Sequence, residues 1–231
     1  MNARQAHRQR QQAARERQAA LRRRARRRRV ALVAVLAVAL VAGIGAWAVS
    51  AASHDRPPPA TGPASLPGLQ TGPAPWSADT AGLAGRLQAI GVPPLSPMEG
   101  TVVHIHQHLD LYVDGRKVTV PAGIGIDPAV GYAPLHTHDA SGVIHVESPV
   151  VRSYTLGELF AVWGVRFTPG CLGGYCAGGG RQLRVYVNGR AYQGDPTTLA
   201  LAAHQELVVT FGTAAQLPSP VPSSYRFPPG L

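Results

Sequence analysis

TVVHIHQHLDLYVDG, residues 101–115, fixes more of the architecture than any other part of the chain. From Thr101 to Tyr112 it alternates. Val102, His104, His106, His108 and Asp110 share one parity. Val103, Ile105, Leu109 and Leu111 share the other, with Gln107 as the exception. A period of two is the signature of a strand with one face in a core. Here the opposite face carries chemistry. Asp114-Gly115 is a type I′ hairpin signal, so Lys117–Val120 is expected to return antiparallel and to stop at Pro121.

A second histidine-bearing stretch follows at 135–148, LHTHDASGVIHVES. Between them the two stretches hold six of the nine histidines. Gly142–Glu147 alternates again, with Val143, His145 and Glu147 on one side and Ile144 and Val146 on the other. Residues i and i+2 of a strand point the same way, about 6.5–7 Å apart. If the two strands lie side by side, their histidine faces meet. Neutral imidazole is the commonest protein metal ligand. The candidate ligands are therefore His104, His106, His108, His136, His138, His145 and Glu147, with His106, His108, His136 and His138 foremost. Glu147 reads as a ligand, as a partner orienting a histidine N–H, or as a general base. Asp139 reads as a turn residue and Asp110 as an ordinary strand position. A nitrogen-rich set with one or two carboxylates suits Zn²⁺, Cu²⁺, Fe²⁺ or Ni²⁺ over Mg²⁺ or Ca²⁺. Copper and zinc are the leading candidates. His7, His54 and His204 lie outside both motifs and read as ordinary solvated or surface residues.

On the N-terminal side of these strands, Ser77–Ile90 is expected to be a short helix. Ser77 or Asp79 would cap it, and Leu83, Leu87 and Ile90 fall at helical spacing. On the C-terminal side, Thr155–Gly164 (TLGELFAVWG) opens on the capping-box pair Thr155 and Glu158. It carries the stripe Leu156, Leu159, Phe160 and Trp163, and closes at Gly164. Gly170–Gly180 is a glycine-rich loop holding Cys171 and Cys176, the two cysteines of the chain. Outside the cytosol such a pair forms a disulfide; a soft metal pair is the alternative. Leu183–Val187 is a strand, Asn188-Gly189 a hairpin turn and Glu206–Phe211 a final strand.

Hairpin, helix, then QLRVYVNGRAYQGDPTTLALAAHQELVVTFG (182–212) resembles the second half of ubiquitin-type, β-grasp domains. The resemblance implies an α+β fold, a β-grasp-like mixed sheet with one crossing helix, and no function. The succession HxHxHL, VDG, PxxIGI, LHTHDxxGVIHVESP and TLGxxF, spanning roughly residues 80–212, is similar to a set of uncharacterised membrane-anchored bacterial and archaeal proteins. That likeness implies membership and no activity. Cupins share HxH, but the acidic residue expected after the second histidine and the downstream proline-glycine-histidine element are both missing here.

The formal net charge of +10 suggests nucleic acid until it is located. Residues 1–29 carry twelve arginines against the single acid Glu16, which leaves the rest of the chain close to neutral. The high pI belongs to a basic arm. Val30–Ser50 then runs without a charge, long enough as a helix to span a hydrocarbon core of about 30 Å. Arginines before it and none immediately after place the N-terminus in the cytoplasm and everything after Ser50 outside. The competing reading is a cleaved signal peptide, with Ala46-Trp47-Ala48 as the processing triplet. The arm is expected to meet anionic lipid headgroups, not nucleic acid. Residues 51–76 read as a Pro/Gly-rich linker, 77–217 as the folded extracytoplasmic domain, and 218–231 as a proline-rich tail, disordered or strapped to the surface.

No phosphate-binding loop, dinucleotide fingerprint or nucleophile elbow occurs. Three functions fit these features: a membrane-anchored protein that captures or transfers a transition metal, a metal-dependent enzyme with Glu147 as base, and a β-grasp module that binds a protein partner and holds no metal.

Overall fold

The computed structural model describes residues 66–231. The basic arm, the expected membrane span and the linker as far as residue 65 lie outside the described residues. Among those described, no helix is long and apolar enough to cross a membrane.

The fold is α+β, with two helices on a mixed sheet. Strand β1, Val103–Val113, is its axis. One edge of β1 is shared. Its first half pairs antiparallel with β6, Val143–Ser148, and its second half with the short return strand β2, Arg116–Val118. Between β2 and β6 the chain makes a small separate hairpin of β3, Ile126–Asp127, and β4, Gly131–Tyr132. It then adds β5, Leu135–His136, to the outer edge of β6. The other edge of β1 pairs in parallel with β12, Glu206–Gly212, in the register His108–Glu206 to Val113–Phe211. β12 pairs antiparallel with β10, Gln182–Val187, which turns into β11, Arg190–Ala191. The order is β11-β10-β12-β1-β6-β5. Both hairpin turns have the positive φ pair a type I′ turn needs: 49° and 78° at Asp114-Gly115, 51° and 76° at Asn188-Gly189.

The odd-numbered residues of β1 enter the core. Leu109, Leu111 and Val113 pack there with Ile144, Val146, Leu207, Val209 and Phe211 from the neighbouring strands. Helix α2, Leu156–Trp163, covers that face with Leu156, Leu159, Phe160, Val162 and Trp163. Its capping box is formed as expected: the Thr155 side chain accepts from the Glu158 N–H, and Glu158 accepts from the Thr155 N–H. Gly164 ends it in the left-handed conformation.

The other helix expected from the sequence, α1, Leu83–Ala89, forms and packs on α2. α1 starts later than the expected Ser77. Ser77 is pinned instead: its carbonyl accepts from Gln70 Nε2 at 2.9 Å and from Trp163 Nε1 at 3.0 Å. Asp79 turns its carboxylate onto the Ala81 N–H at 2.7 Å, a local turn and not a helix cap. Residues 66–76 are likewise packed, not linker. Trp76 is buried edge-on against Trp163, and the Gln70 N–H donates to the Gly164 carbonyl at 2.6 Å.

Arg86 of α1 is almost fully buried and donates to four backbone carbonyls: Pro67, Asp79, Ala81 and Val162, at 2.7–3.1 Å. It therefore ties the incoming chain to the end of α2. Arg86→Leu keeps apolar bulk but strands these acceptors. Each buried unsatisfied group costs about 1–3 kcal/mol, so the expected loss is at least ~2 kcal/mol, read as a lower urea midpoint at an unchanged slope.

Gly170–Gly180 is more ordered than a loop. A three-stranded meander, β7 (Phe167–Thr168), β8 (Cys171–Leu172) and β9 (Tyr175–Cys176), is closed by a disulfide between Cys171 and Cys176. The proline-rich tail is strapped on. Tyr225 stacks on His108 with ring centroids 3.8 Å apart and planes 6° off parallel, and the Leu231 carbonyl accepts from His204 Nε2 at 3.2 Å. The folded unit thus extends past both expected limits, 77 and 217.

Candidate metal centre

The two histidine stretches meet as adjacent antiparallel strands. His106 lies directly opposite His145, and His104 opposite Glu147. β5 brings His136 opposite His145 from the other side. The segment His136-Thr137-His138 is oriented by its middle residue. The Thr137 hydroxyl donates to the Pro121 carbonyl at 2.8 Å and accepts from the Ile124 N–H at 3.0 Å. Thr137 is thereby held toward the 121–124 loop, and His136 and His138, two apart, project the other way.

His136 is fully buried. Its Nδ1–H donates to the Ala133 carbonyl at 2.9 Å. A carbonyl only accepts, so this bond fixes the tautomer and leaves the Nε2 lone pair facing His138 Nε2, 3.2 Å away. Glu99 completes the group. Its Oε1 is 3.1 Å from His138 Nε2 and 3.7 Å from His136 Nε2. With metal–ligand bonds of ~2.0–2.1 Å, neighbouring donors of a tetrahedral site stand about 3.3 Å apart. The triangle of His136, His138 and Glu99 has those dimensions.

His145 stands against the same group, its ring centroid 4.4 Å from that of His138 and 5.2 Å from that of His136. Its Nδ1–H donates to Glu147 Oε1 at 2.8 Å, the carboxylate–imidazole bond that orients a ligating histidine. Donor atoms of His136, His138, His145 and Glu147 all fall within 4.8 Å of one another. Glu147 Oε1 also lies 3.4 Å from His104 Nε2 and 3.7 Å from His106 Nε2, a second group around the same carboxylate.

Burial keeps His136, His145 and His106 neutral. Burial pulls the His136 pKa down to about 3, against the raising effect of its bond to Ala133. Burial, then the neighbouring His138, pulls His145 to about 4. Burial, then His145 and His104, lowers His106. An imidazole must be unprotonated to ligate. His136 and His145 stay neutral well below neutral pH.

His108 is not brought into either group. Its Nδ1 pairs with Glu206 Oε2 at 2.7 Å, and its Nε2–H donates to the Ser141 carbonyl at 3.0 Å. Tyr225 covers its face. His108, expected among the foremost ligands, instead faces Glu206 of β12, and with Asp110 the two form a third, buried group whose donor atoms lie within 4.8 Å of one another. Asp110 takes the Lys117 ammonium at 2.6 Å. Asp139 is a turn residue that accepts from the Ser141 N–H at 2.8 Å; the Ser141 hydroxyl, and then that N–H, lower its pKa.

Comparison with protein-family models, curated proteins and solved structures finds no match to this chain. The site is therefore read from its own atoms.

Sequence reasoning missed Glu99. It lies in the aperiodic loop PLSPMEG, and its one mark is that it is the only acid between Asp79 and Asp110. Two glycines let that loop press onto the sheet. A Cβ on Gly100 would stand 2.1 Å from the Ser148 carbonyl carbon, and one on Gly131 would stand 2.0 Å from the Ser96 carbonyl oxygen. Ser96 and Tyr132 then exchange backbone hydrogen bonds at 3.0 and 2.8 Å, carrying Glu99 to the histidines.

Proposed function

We propose that this chain is a membrane-anchored, extracytoplasmic transition-metal-binding protein that captures or hands over zinc or copper. The observation that carries the reading is the His136–His138–Glu99 triangle, with donor spacings of 3.1–3.7 Å and one tautomer already fixed. Imidazole and carboxylate donors without thiolate suit Zn²⁺ or Cu²⁺ over Cu⁺, and both cysteines are tied up in the disulfide. A disulfide also fits an oxidising compartment. The arginine arm and the uncharged run 30–50 supply the anchor, with the arm against anionic lipid. The β11-β10-β12-β1 order, with β1 and β12 parallel at the centre, supports a β-grasp-like scaffold.

Glu147 speaks against the enzyme reading. A general base needs a carboxylate free to take a proton from substrate. Glu147 is buried and surrounded by three imidazoles, which suits a ligand or an orienting group.

Full-length chain purified in detergent, loaded with Zn²⁺ or Cu²⁺ and desalted, is expected to retain metal through the column, with one of the two ions displacing the other in competition. A chain that emerges metal-free after loading with either ion leaves only the protein-interaction reading.

A further inference from the structure

The cluster holds more donors than one ion uses. Four-coordinate binding is complete with His136, His138, His145 and Glu99. His104 and His106 then remain, on the opposite side of Glu147. His106 is 5 % exposed, and its Nε2 has no hydrogen-bond partner among the described residues. A buried ring nitrogen left unpaired costs free energy unless something fills it. It points into a group whose other members are His104 Nε2, 3.4 Å from Glu147 Oε1, and Glu147 itself, 3.7 Å from His106 Nε2. Those spacings again match neighbouring donors around one ion, about 3.3 Å for tetrahedral bonds of ~2.0–2.1 Å.

We infer that the domain binds two divalent transition-metal ions side by side, the second held by His104, His106 and Glu147. This rests on the metal-binding reading above and adds a second position to it. Glu147 links the two. It ligates the second ion while accepting the hydrogen bond from His145, which serves the first. Each position has a buried side and a side open to solvent: His138 and Glu99 are partly exposed at the first, and His104 is half-exposed at the second.

The test counts zinc. Full-length chain in detergent is dialysed against excess ZnSO₄, desalted, and assayed for zinc per chain. The wild type is expected to hold two, and H104A/H106A one. H104A alone changes only a half-exposed side chain and should weaken the second ion at least tenfold while leaving the first in place. E147Q should lose the second ion and weaken the first about 10–100-fold through His145. One zinc per chain, unchanged in H104A/H106A, would overturn the second position and leave the metal-binding reading standing. One zinc per chain that H104A/H106A removes would also overturn it, since a single ion would then use both groups. No zinc in any of them would end both readings.

Discussion

Saturating zinc should raise the thermal midpoint of this protein by about 10 °C, and H136A/H138A should abolish the rise. The magnitude follows from linkage. A ligand at a thousand times its dissociation constant stabilises the native state by about 4 kcal/mol. Domains of this size shift by roughly 2–4 °C per kcal/mol. The donors meet only in the folded chain, because His136 of β5 and His138 just beyond it must be brought against His145 and Glu147 of β6 and against Glu99 from the loop before β1. The unfolded chain has no such site, so binding energy becomes folding energy. H138A is the safer single test, since His138 is part exposed and fills little of the core. Scanning calorimetry with zinc and then with chelator reads the effect. An equal rise in the wild type and in H136A/H138A would place the bound zinc elsewhere.

The metal-free protein should lose stability steeply as pH falls from about 6.5 to 4. His136 titrates at about 3 and His145 at about 4 when folded, and near 6.5 when unfolded. Between these values the unfolded chain binds more protons than the folded one. Stability therefore rises with pH through that window and is lost as pH drops through it. Above pH 6.5 both states carry neutral rings and the contribution is complete. Each pH unit between a ring's folded and unfolded titration points is worth about 1.4 kcal/mol. By pH 4 the two rings together remove ~6 kcal/mol, much of what a domain of ordinary stability has. Urea midpoints measured from pH 7 to pH 4 check this. The slope should flatten in H136N, and bound zinc should move the decline to lower pH because protons must displace it. Stability that stays level down to pH 4 in the metal-free chain would contradict buried neutral rings.

Where the sequence was periodic, it could be read. The alternation from Thr101 to Tyr112 and from Gly142 to Glu147 specified two strands and the facing of every histidine on them, and the structure pairs them. Thr155 with Glu158, Asp114-Gly115 and Asn188-Gly189 are local signals whose geometry depends on few neighbours, and each formed. Where long-range contacts decide, local pattern misled. Ser77 had the chemistry of a cap, but its carbonyl went to Gln70 and Trp163. His108 shares its strand parity with His106, yet the parallel neighbour β12 sets Glu206 beside it and diverts it. That pairing joins residues 98 positions apart and leaves no trace in either segment. Glu99 reached the histidines through a close backbone approach at Gly100 and Gly131, which no periodicity encodes.

Anomalous diffraction from crystals of the zinc-loaded protein, recorded on both sides of the zinc edge, would show whether an ion occupies this cluster. A peak is expected within bonding distance, ~2.0–2.1 Å, of His136 Nε2 and His138 Nε2, with Glu99 turned toward it. Zinc found only at surface histidines, with these two rings still in contact with each other, would contradict a metal centre there.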